Sequence, residues 1–176
     1  MNNKDSYRIL VCDDREEITS TFQELLTDNS KDIGLDELKN LATSLFEQVP
    51  QFQNKWKESS YKGRVKLRVD TASQGLEAIE MVRESVEEGD PYKVAVLDMR
   101  MPPGINGFET AIELVQIDPL IELCFCTAYS DITISEIADT LGEGRFLLLK
   151  KPVNPDELVT TIEFLSKTQP KLNLLT

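Results

Sequence analysis

The chain has 176 residues, and its 31 acidic side chains outnumber 19 basic ones, for a net charge of -12. The length fits a single domain with a substantial core, and the acidic surface argues against binding to nucleic acid or anionic membranes, which attract basic patches. The chain contains no histidine, which excludes catalysis by histidine, phosphorylation of histidine and histidine-ligated metal.

Apolar runs of strand length alternate five times with stretches of helical periodicity. The predicted strands cover 7–12, 65–70, 93–98, 120–126 and 145–149, and the predicted helices cover 15–28, 73–88, 107–117, 132–141 and 155–167. This alternation predicts an α/β fold with a parallel sheet, helices on both faces and right-handed crossovers. The second strand alternates apolar and basic residues, which favours an edge position. In the helix over 73–88 we expect a buried stripe of Leu76, Ile79, Val82 and Val86.

One segment, residues 30–64, is too long for an ordinary connection between a helix and a strand. It carries apolar residues at helical spacing, namely Leu35, Leu38, Leu41, Leu45, Phe46 and Val49. We interpret it as a helical insertion whose apolar face packs against the rest of the domain, while a dimer interface or a docking helix stays open as an alternative. Residues 169–176 are interpreted as a tail or the stub of a linker.

The cysteines and the N-terminus bear on the cellular compartment. Cys12, Cys124 and Cys126 all lie in apolar runs, which is typical of buried, reduced cysteines. No apolar signal region opens the chain, and no segment is long enough to span a membrane. We therefore expect a cytoplasmic protein.

Polar residues follow four of the predicted strands. Asp13 and Asp14 follow the first strand, Asp98 ends the third, Thr127 follows the fourth and Lys151 follows the fifth. The carboxyl ends of parallel strands share one edge of a sheet, so these groups should converge there. Three close carboxylates require a cation, and oxygen ligands favour Mg²⁺. A carboxylate can also accept a phosphoryl group, whose charge the metal, an ammonium and a hydroxyl would neutralise.

These residues resemble the receiver domain of two-component response regulators. The matching residues are Asp13–Asp14, Asp98 with Met101–Pro102 and Gly107, Thr127–Ala128, and Lys151–Pro152. The resemblance spans residues 6–168 apart from the insertion at 30–64, and it implies a flavodoxin-like sheet with strand order 2-1-3-4-5. It selects Lys151 over its neighbour Lys150, because Pro152 sets the register.

The resemblance also implies a function. Asp98 would accept a phosphoryl group from a histidine kinase or a phosphotransfer protein, with Thr127 and Lys151 as the other catalytic residues. Asp14, Asp98 and the backbone carbonyl of Arg100 would bind Mg²⁺, with Asp13 assisting. Such a domain is not an enzyme beyond its own phosphorylation and dephosphorylation. Its expected partners are the phosphodonor and a downstream protein, with a second copy of the chain as a further candidate and with no nucleic acid or membrane.

Four features depart from the common pattern of the family, and the insertion at 30–64 is one of them. The loop from Met101 to Gly107 has one residue more than usual. Arg100 and Tyr129 are large residues that can screen an acyl phosphate from water, so we hypothesise slow dephosphorylation. The aromatic residue expected three places before Lys151 is replaced by Leu148, and Phe146 should point the same way along the strand but farther from the site. The sequence therefore does not predict the usual switch of the family, in which the threonine at the position of Thr127 is coupled to that aromatic residue.

The sequence supports four alternative functions to different degrees. A receiver-fold interaction module that works without phosphate, and the receiver part of a longer sensor or effector protein, both stay open. A phosphatase of the haloacid dehalogenase kind needs two aspartates two places apart, whereas Asp13 and Asp14 are adjacent and Arg15 follows. The chain has no Walker-type glycine loop, which argues against a nucleotide kinase.

Overall fold

The computed structural model describes residues 6–27, 65–128, 134–142 and 144–168. Its strands are β1 (Ser6–Cys12), β2 (Lys66–Ala72), β3 (Val94–Asp98), β4 (Glu122–Thr127) and β5 (Phe146–Lys150). Its helices are α1 (Glu16–Thr27), α2 (Gly75–Glu87), α3 (Gly107–Ile117), α4 (Ile134–Leu141) and α5 (Pro155–Lys167). The predicted insertion at 30–64, the predicted tail at 169–176 and Tyr129 lie outside the described residues. None of the described helices is long and apolar enough to cross a membrane.

The five strands form one parallel sheet in the order β2-β1-β3-β4-β5. This confirms the predicted fold and the edge position of β2. β3, the central strand, is buried at every residue, as expected of a strand covered on both faces.

Two apolar cores flank the sheet, because alternate residues of each strand point to opposite faces. Residues of α1 and α5 pack on one face, and residues of α2, α3 and α4 pack on the other. Cys124 and Cys126 lie in the first core and Cys12 in the second. All three are free and buried, as the sequence predicts.

Two expectations about the elements are wrong in detail. Leu76 and Val86 do not belong to the buried stripe of α2, since they are 67% and 40% exposed. The buried residues of α2 are instead Gly75, Ala78, Ile79, Val82 and Ser85. Small residues face inward because α2 and α3 approach closely: a Cβ at Gly75 would lie 2.2 Å from Thr110 Oγ1. Hydrophobic periodicity alone does not reveal such a helix contact.

Strand boundaries also differ from the predicted ones. β2 continues to Ala72 because its last residues stay in register with Leu10, Val11 and Cys12 of β1. β4 begins at Glu122 and includes Thr127, which lies opposite Lys150 of β5. Pairing with a neighbouring strand, rather than local composition, sets these ends.

Gly107 brings the start of α3 against the end of β3. A Cβ at this position would lie 2.2 Å from the backbone oxygen of Asp98 and 2.9 Å from its carbonyl carbon. The Gly107 amide also donates to the Met99 carbonyl at 3.3 Å. The absence of a side chain here therefore fixes the backbone that carries Asp98.

We predict that Gly107→Ala lowers the free energy of unfolding by about 2 kcal/mol, as overpacking against rigid backbone does. The cost should exceed the gain in helix propensity from alanine. Gly104→Ala is the matched control, because its Cβ would clash with the flexible end of the Gln74 side chain and would meet backbone only at an ordinary contact distance, 3.6 Å from the Met101 oxygen. Urea unfolding curves of the two variants measure the difference, and equal stabilities would contradict the argument.

Candidate functional site

Three strands, β1, β3 and β5, deliver predicted site residues to the same end of the sheet. β3 ends at Asp98, β1 ends one residue before Asp13, and β5 ends one residue before Lys151. One ligand oxygen each from Asp13, Asp14 and Asp98 can be chosen so that all three lie within 4.8 Å of one another. Asp13 and Asp98 are only 3% and 7% exposed, whereas Asp14 is exposed. The structure thus brings the three carboxylates together, with Asp14 on the solvent side.

The ammonium of Lys151 bridges the two buried carboxylates. Its Nζ lies 2.8 Å from Asp98 Oδ1 and 3.3 Å from Asp13 Oδ2. The Lys151 amide donates to the Thr127 carbonyl at 2.9 Å, and the peptide bond to Pro152 is cis. Lys150, the alternative in the sequence, is exposed on the last residue of β5. Lys151 is therefore the cation that offsets the repulsion between Asp13 and Asp98.

A second cation, Arg15, contacts the same cluster. Its Nε and its backbone amide both donate to Asp13 Oδ1, at 3.3 Å and 3.0 Å. This contact raises the pKa of the Arg15 guanidinium. Sequence reasoning used Arg15 only to reject a phosphatase and missed it as part of the site. Its position directly after the acidic pair was the available signal.

Asp98 is held through one of its two oxygens. Oδ1 accepts from Lys151 and from the Arg100 amide, the latter at 3.2 Å. Among the residues that the structure describes, none donates to Oδ2. Burial raises the pKa of the Asp98 carboxyl above its ordinary value of 3.8, Lys151 and the Arg100 amide oppose the rise, and the charge of Asp13 adds to it.

Thr127 and Arg100 lie at the rim. Thr127 is half-buried, and its hydroxyl donates to the carbonyl of Ala128 at 2.8 Å. Arg100 is exposed, and its backbone lies beside Asp98 through the amide contact.

The aromatic residue of β5 lies where the sequence places it. Phe146 and Leu148 both pack in the core on the side of α2, α3 and α4, which confirms that they share a face. The ring of Phe146 meets that of Phe125 edge-on, with centroids 5.9 Å apart. Phe146 is thus a buried core residue, 7% exposed.

The donor set fits Mg²⁺. All three side chains offer carboxylate oxygens, the ligands that Mg²⁺ prefers. Because one oxygen from each side chain lies within 4.8 Å of the others, these three carboxylates are the residues that would hold the ion.

Two thiols border the site without being candidates for nucleophiles. Burial raises the pKa of both Cys12 and Cys126 to about 12, and nearby carboxylates add to the rise. Because the thiolate is the reactive form, a raised pKa disfavours both thiols as nucleophiles at neutral pH.

Comparison with known proteins places the chain in a family, through a match that includes Asp98, Thr127 and Lys151 but begins after Asp13 and Asp14. A family model described as the response regulator receiver domain matches residues 58–163. The chain is 34% identical over 95 residues to the transcriptional regulatory protein ZraR of Klebsiella oxytoca. That match covers 54% of this chain but 20% of ZraR, so the chain spans about a fifth of that relative.

Solved structures share the fold. A response regulator receiver protein from Sinorhizobium medicae WSM419 aligns with a TM-score of 0.59 at 20% identity, covering 93% of this chain and 97% of that one. A receiver domain protein from Clostridium thermocellum aligns with a TM-score of 0.57 at 21% identity, covering 91% and 94%.

We predict that Asp98→Asn raises the thermal midpoint of the metal-free protein at pH 7 by a few degrees. A carboxyl whose pKa is higher in the folded protein than in the unfolded chain makes folding less favourable as pH rises between the two values. The advantage of the variant should therefore shrink as pH falls towards 3.8, the ordinary pKa of the group. Thermal melts in EDTA from pH 4 to 8 measure it.

Asp14→Asn is the matched control, because Asp14 is exposed and water already solvates its charge. Asp14→Asn should raise the thermal midpoint at pH 7 by less than Asp98→Asn does. A destabilised Asp98→Asn variant at pH 7 would mean that the pairing with Lys151 outweighs the cost of burying the charge.

Proposed function

The chain belongs to the response regulator receiver domain family, and on that premise we propose that Asp98 accepts a phosphoryl group in an Mg²⁺-dependent reaction that switches partner binding. Receiver domains are signalling domains of two-component systems, and they generally bind Mg²⁺ at an acidic pocket. The observation that carries the proposal is the Lys151 ammonium, 2.8 Å from Asp98 inside a cluster of carboxylates.

The nucleophile is the Asp98 carboxylate. Oδ1 is held by Lys151 and the Arg100 amide, so Oδ2 is the oxygen that attacks phosphorus. The bond from phosphorus to the phosphorylated histidine of a kinase or phosphotransfer protein breaks, and the imidazole leaves with the electron pair. The ionised form of Asp98 needs no general base, because a carboxylate attacks without losing a proton.

Charge stabilisation supplies most of the catalysis in such a transfer. Asp14, Asp98 and the backbone carbonyl of Arg100 would hold Mg²⁺, with Asp13 assisting, and the ion supplies positive charge to the phosphoryl oxygens. Lys151 already lies at the carboxylate that receives the group. Its ammonium can pass from Asp98 Oδ1 to a phosphoryl oxygen while it keeps its contact with Asp13.

The switch begins at Thr127. Its hydroxyl now donates to the Ala128 carbonyl and would turn to a phosphoryl oxygen, which pulls the end of β4 towards the site. Such a change at one end of a strand can bias a surface between two states. We propose that the surface formed by α4 and β5 changes on phosphorylation. The ring of Phe146 would move little in this change, because it is buried against Phe125.

The wider setting is also proposed. Residues 6–168 form the receiver domain, 30–64 are an insertion within it, and 169–176 are a tail or linker stub. The phosphodonor is a histidine kinase or a phosphotransfer protein, the output is binding to a downstream protein or to a second copy, and the location is the cytoplasm. ZraR is a transcriptional regulatory protein, but the acidic charge of this chain argues against direct contact with DNA.

We predict that incubation with a small phosphodonor and Mg²⁺ adds the mass of one phosphoryl group to the protein. EDTA should abolish the gain, and Asp98→Asn should not be modified, because the acceptor oxygen is lost. Lys151→Ala should react at least tenfold more slowly, as expected when a charged partner of the transition state is removed. Intact-mass spectrometry measures all three.

Asp118→Asn is the matched control for Asp98→Asn. Asp118 is equally buried, at 8% exposed, but lies before β4 and accepts from the Leu120 amide. This variant should be phosphorylated like the wild type. A folded wild-type protein that gains no mass would favour the phosphate-independent interaction module.

The lifetime of the phosphorylated form offers a separate test. Arg100 is exposed beside Asp98, and its side chain can shield the acyl phosphate from water. We predict that Arg100→Ala shortens the lifetime several-fold with Mg²⁺ present. Decay of the phosphorylated mass measures this. Arg83→Ala, a change at an exposed arginine of α2, should leave the lifetime unchanged, and an equal lifetime for both variants would remove the shielding role.

A further inference from the structure

Both oxygens of Asp13 are engaged by cations. Oδ2 lies 3.3 Å from the Lys151 ammonium, and Oδ1 lies 3.3 Å from Arg15 Nε. The Asp13 side chain is only 4% exposed, so it depends on these contacts to offset the cost of burying its charge.

The two cations differ in how they are held. The Lys151 side chain is 21% exposed and bridges Asp13 and Asp98. The Arg15 side chain is 52% exposed, and its described contact within the cluster is with Asp13. Arg15 can leave by swinging into solvent, whereas Lys151 could reach solvent only by giving up its contacts with both buried carboxylates.

Arg15 contacts Asp13 through its backbone as well as through its guanidinium. Its amide also donates to Asp13 Oδ1, at 3.0 Å. When the guanidinium leaves, this hydrogen bond still orients the carboxylate, so Asp13 stays in position for another cation.

A divalent ion at the cluster would meet the guanidinium at close range. The two would compete for Asp13 Oδ1 and would repel each other, by an amount that falls with solvent exposure and added salt. Since Arg15 is half-exposed, this repulsion should be moderate.

We propose that Arg15 is an exchangeable counter-ion of Asp13, which stabilises the metal-free site and competes with Mg²⁺, so that it sets the Mg²⁺ concentration at which the site fills. This rests on the proposed function in that Mg²⁺ binds at the three carboxylates. Arg15 is thus a positioning residue that acts through Asp13.

The test is the Mg²⁺ affinity of the metal-free protein, measured by isothermal titration calorimetry at low salt. Arg15→Gln should bind Mg²⁺ about 3- to 10-fold more tightly, as expected for removal of one half-exposed competing charge. Arg83→Gln is the matched control: it removes the same charge, is 47% exposed, and pairs with Glu80 on α2. Its affinity should stay within about twofold of the wild type.

A second measurement separates competition from a purely structural role. In EDTA, Arg15→Gln should melt at a lower temperature than the wild type, because Asp13 has lost a counter-ion. Saturating Mg²⁺ should raise its midpoint by more than it raises that of the wild type, since tighter binding to the folded state stabilises it more. If the role of Arg15 were purely structural, the variant would melt below the wild type by the same amount in EDTA and in saturating Mg²⁺.

Each outcome bears on a defined claim. If the wild type binds Mg²⁺ and Arg15→Gln binds it equally or more weakly, the counter-ion role is wrong and the proposed function stands. If Arg83→Gln gains as much affinity as Arg15→Gln, the effect is one of overall charge, and the role of Arg15 is again wrong. If neither the wild type nor Arg15→Gln binds Mg²⁺, the proposed function and this inference fail together.

Discussion

Repulsion among carboxylates at one edge of the sheet is the constraint on which the site depends. Asp13 and Asp98 are almost fully buried, and Asp14 lies close to both. Two buried like charges are tolerated only beside a cation. Lys151 meets this need because β5 ends one residue before it and delivers its ammonium between the two carboxylates. Three carboxylates against two cations leave the local charge negative, which favours a metal ion at this edge.

Close backbone packing gives this cluster its precision. Asp98 ends a strand that is buried along its whole length, and Gly107 lets α3 begin against its carbonyl. The carboxylate therefore stands on rigid elements, with its Oδ1 fixed by a main-chain amide and a lysine. Groups that are held in position in this way can stabilise charge that develops during a reaction, because they do not have to rearrange first. Asp14 and Arg15 are the exposed members of the cluster.

The sequence determined the class of fold and the cluster residues, and its resemblance to receiver domains implied the strand order. Alternating apolar runs and helical stripes specify a doubly covered parallel sheet. Because the polar residues occur at strand ends, their convergence follows from the topology, and Asp13, Asp98 and Lys151 could be selected before any contact was known. Composition excluded histidine chemistry, and the position of the cysteines in apolar runs predicted their burial.

Tertiary structure alone decided how these residues meet and which helix residues face inward. The exposure of Leu76 and Val86 follows from the close approach of α2 to α3, and periodicity within one helix contains no information about its neighbour. The pairing of Arg15 with Asp13 depends on the path of the chain between β1 and α1. The same path buries Asp13 and leaves Asp14 exposed. Residue types and spacing thus determine which groups share an edge, whereas distances and solvent exposure depend on packing between elements far apart in the chain.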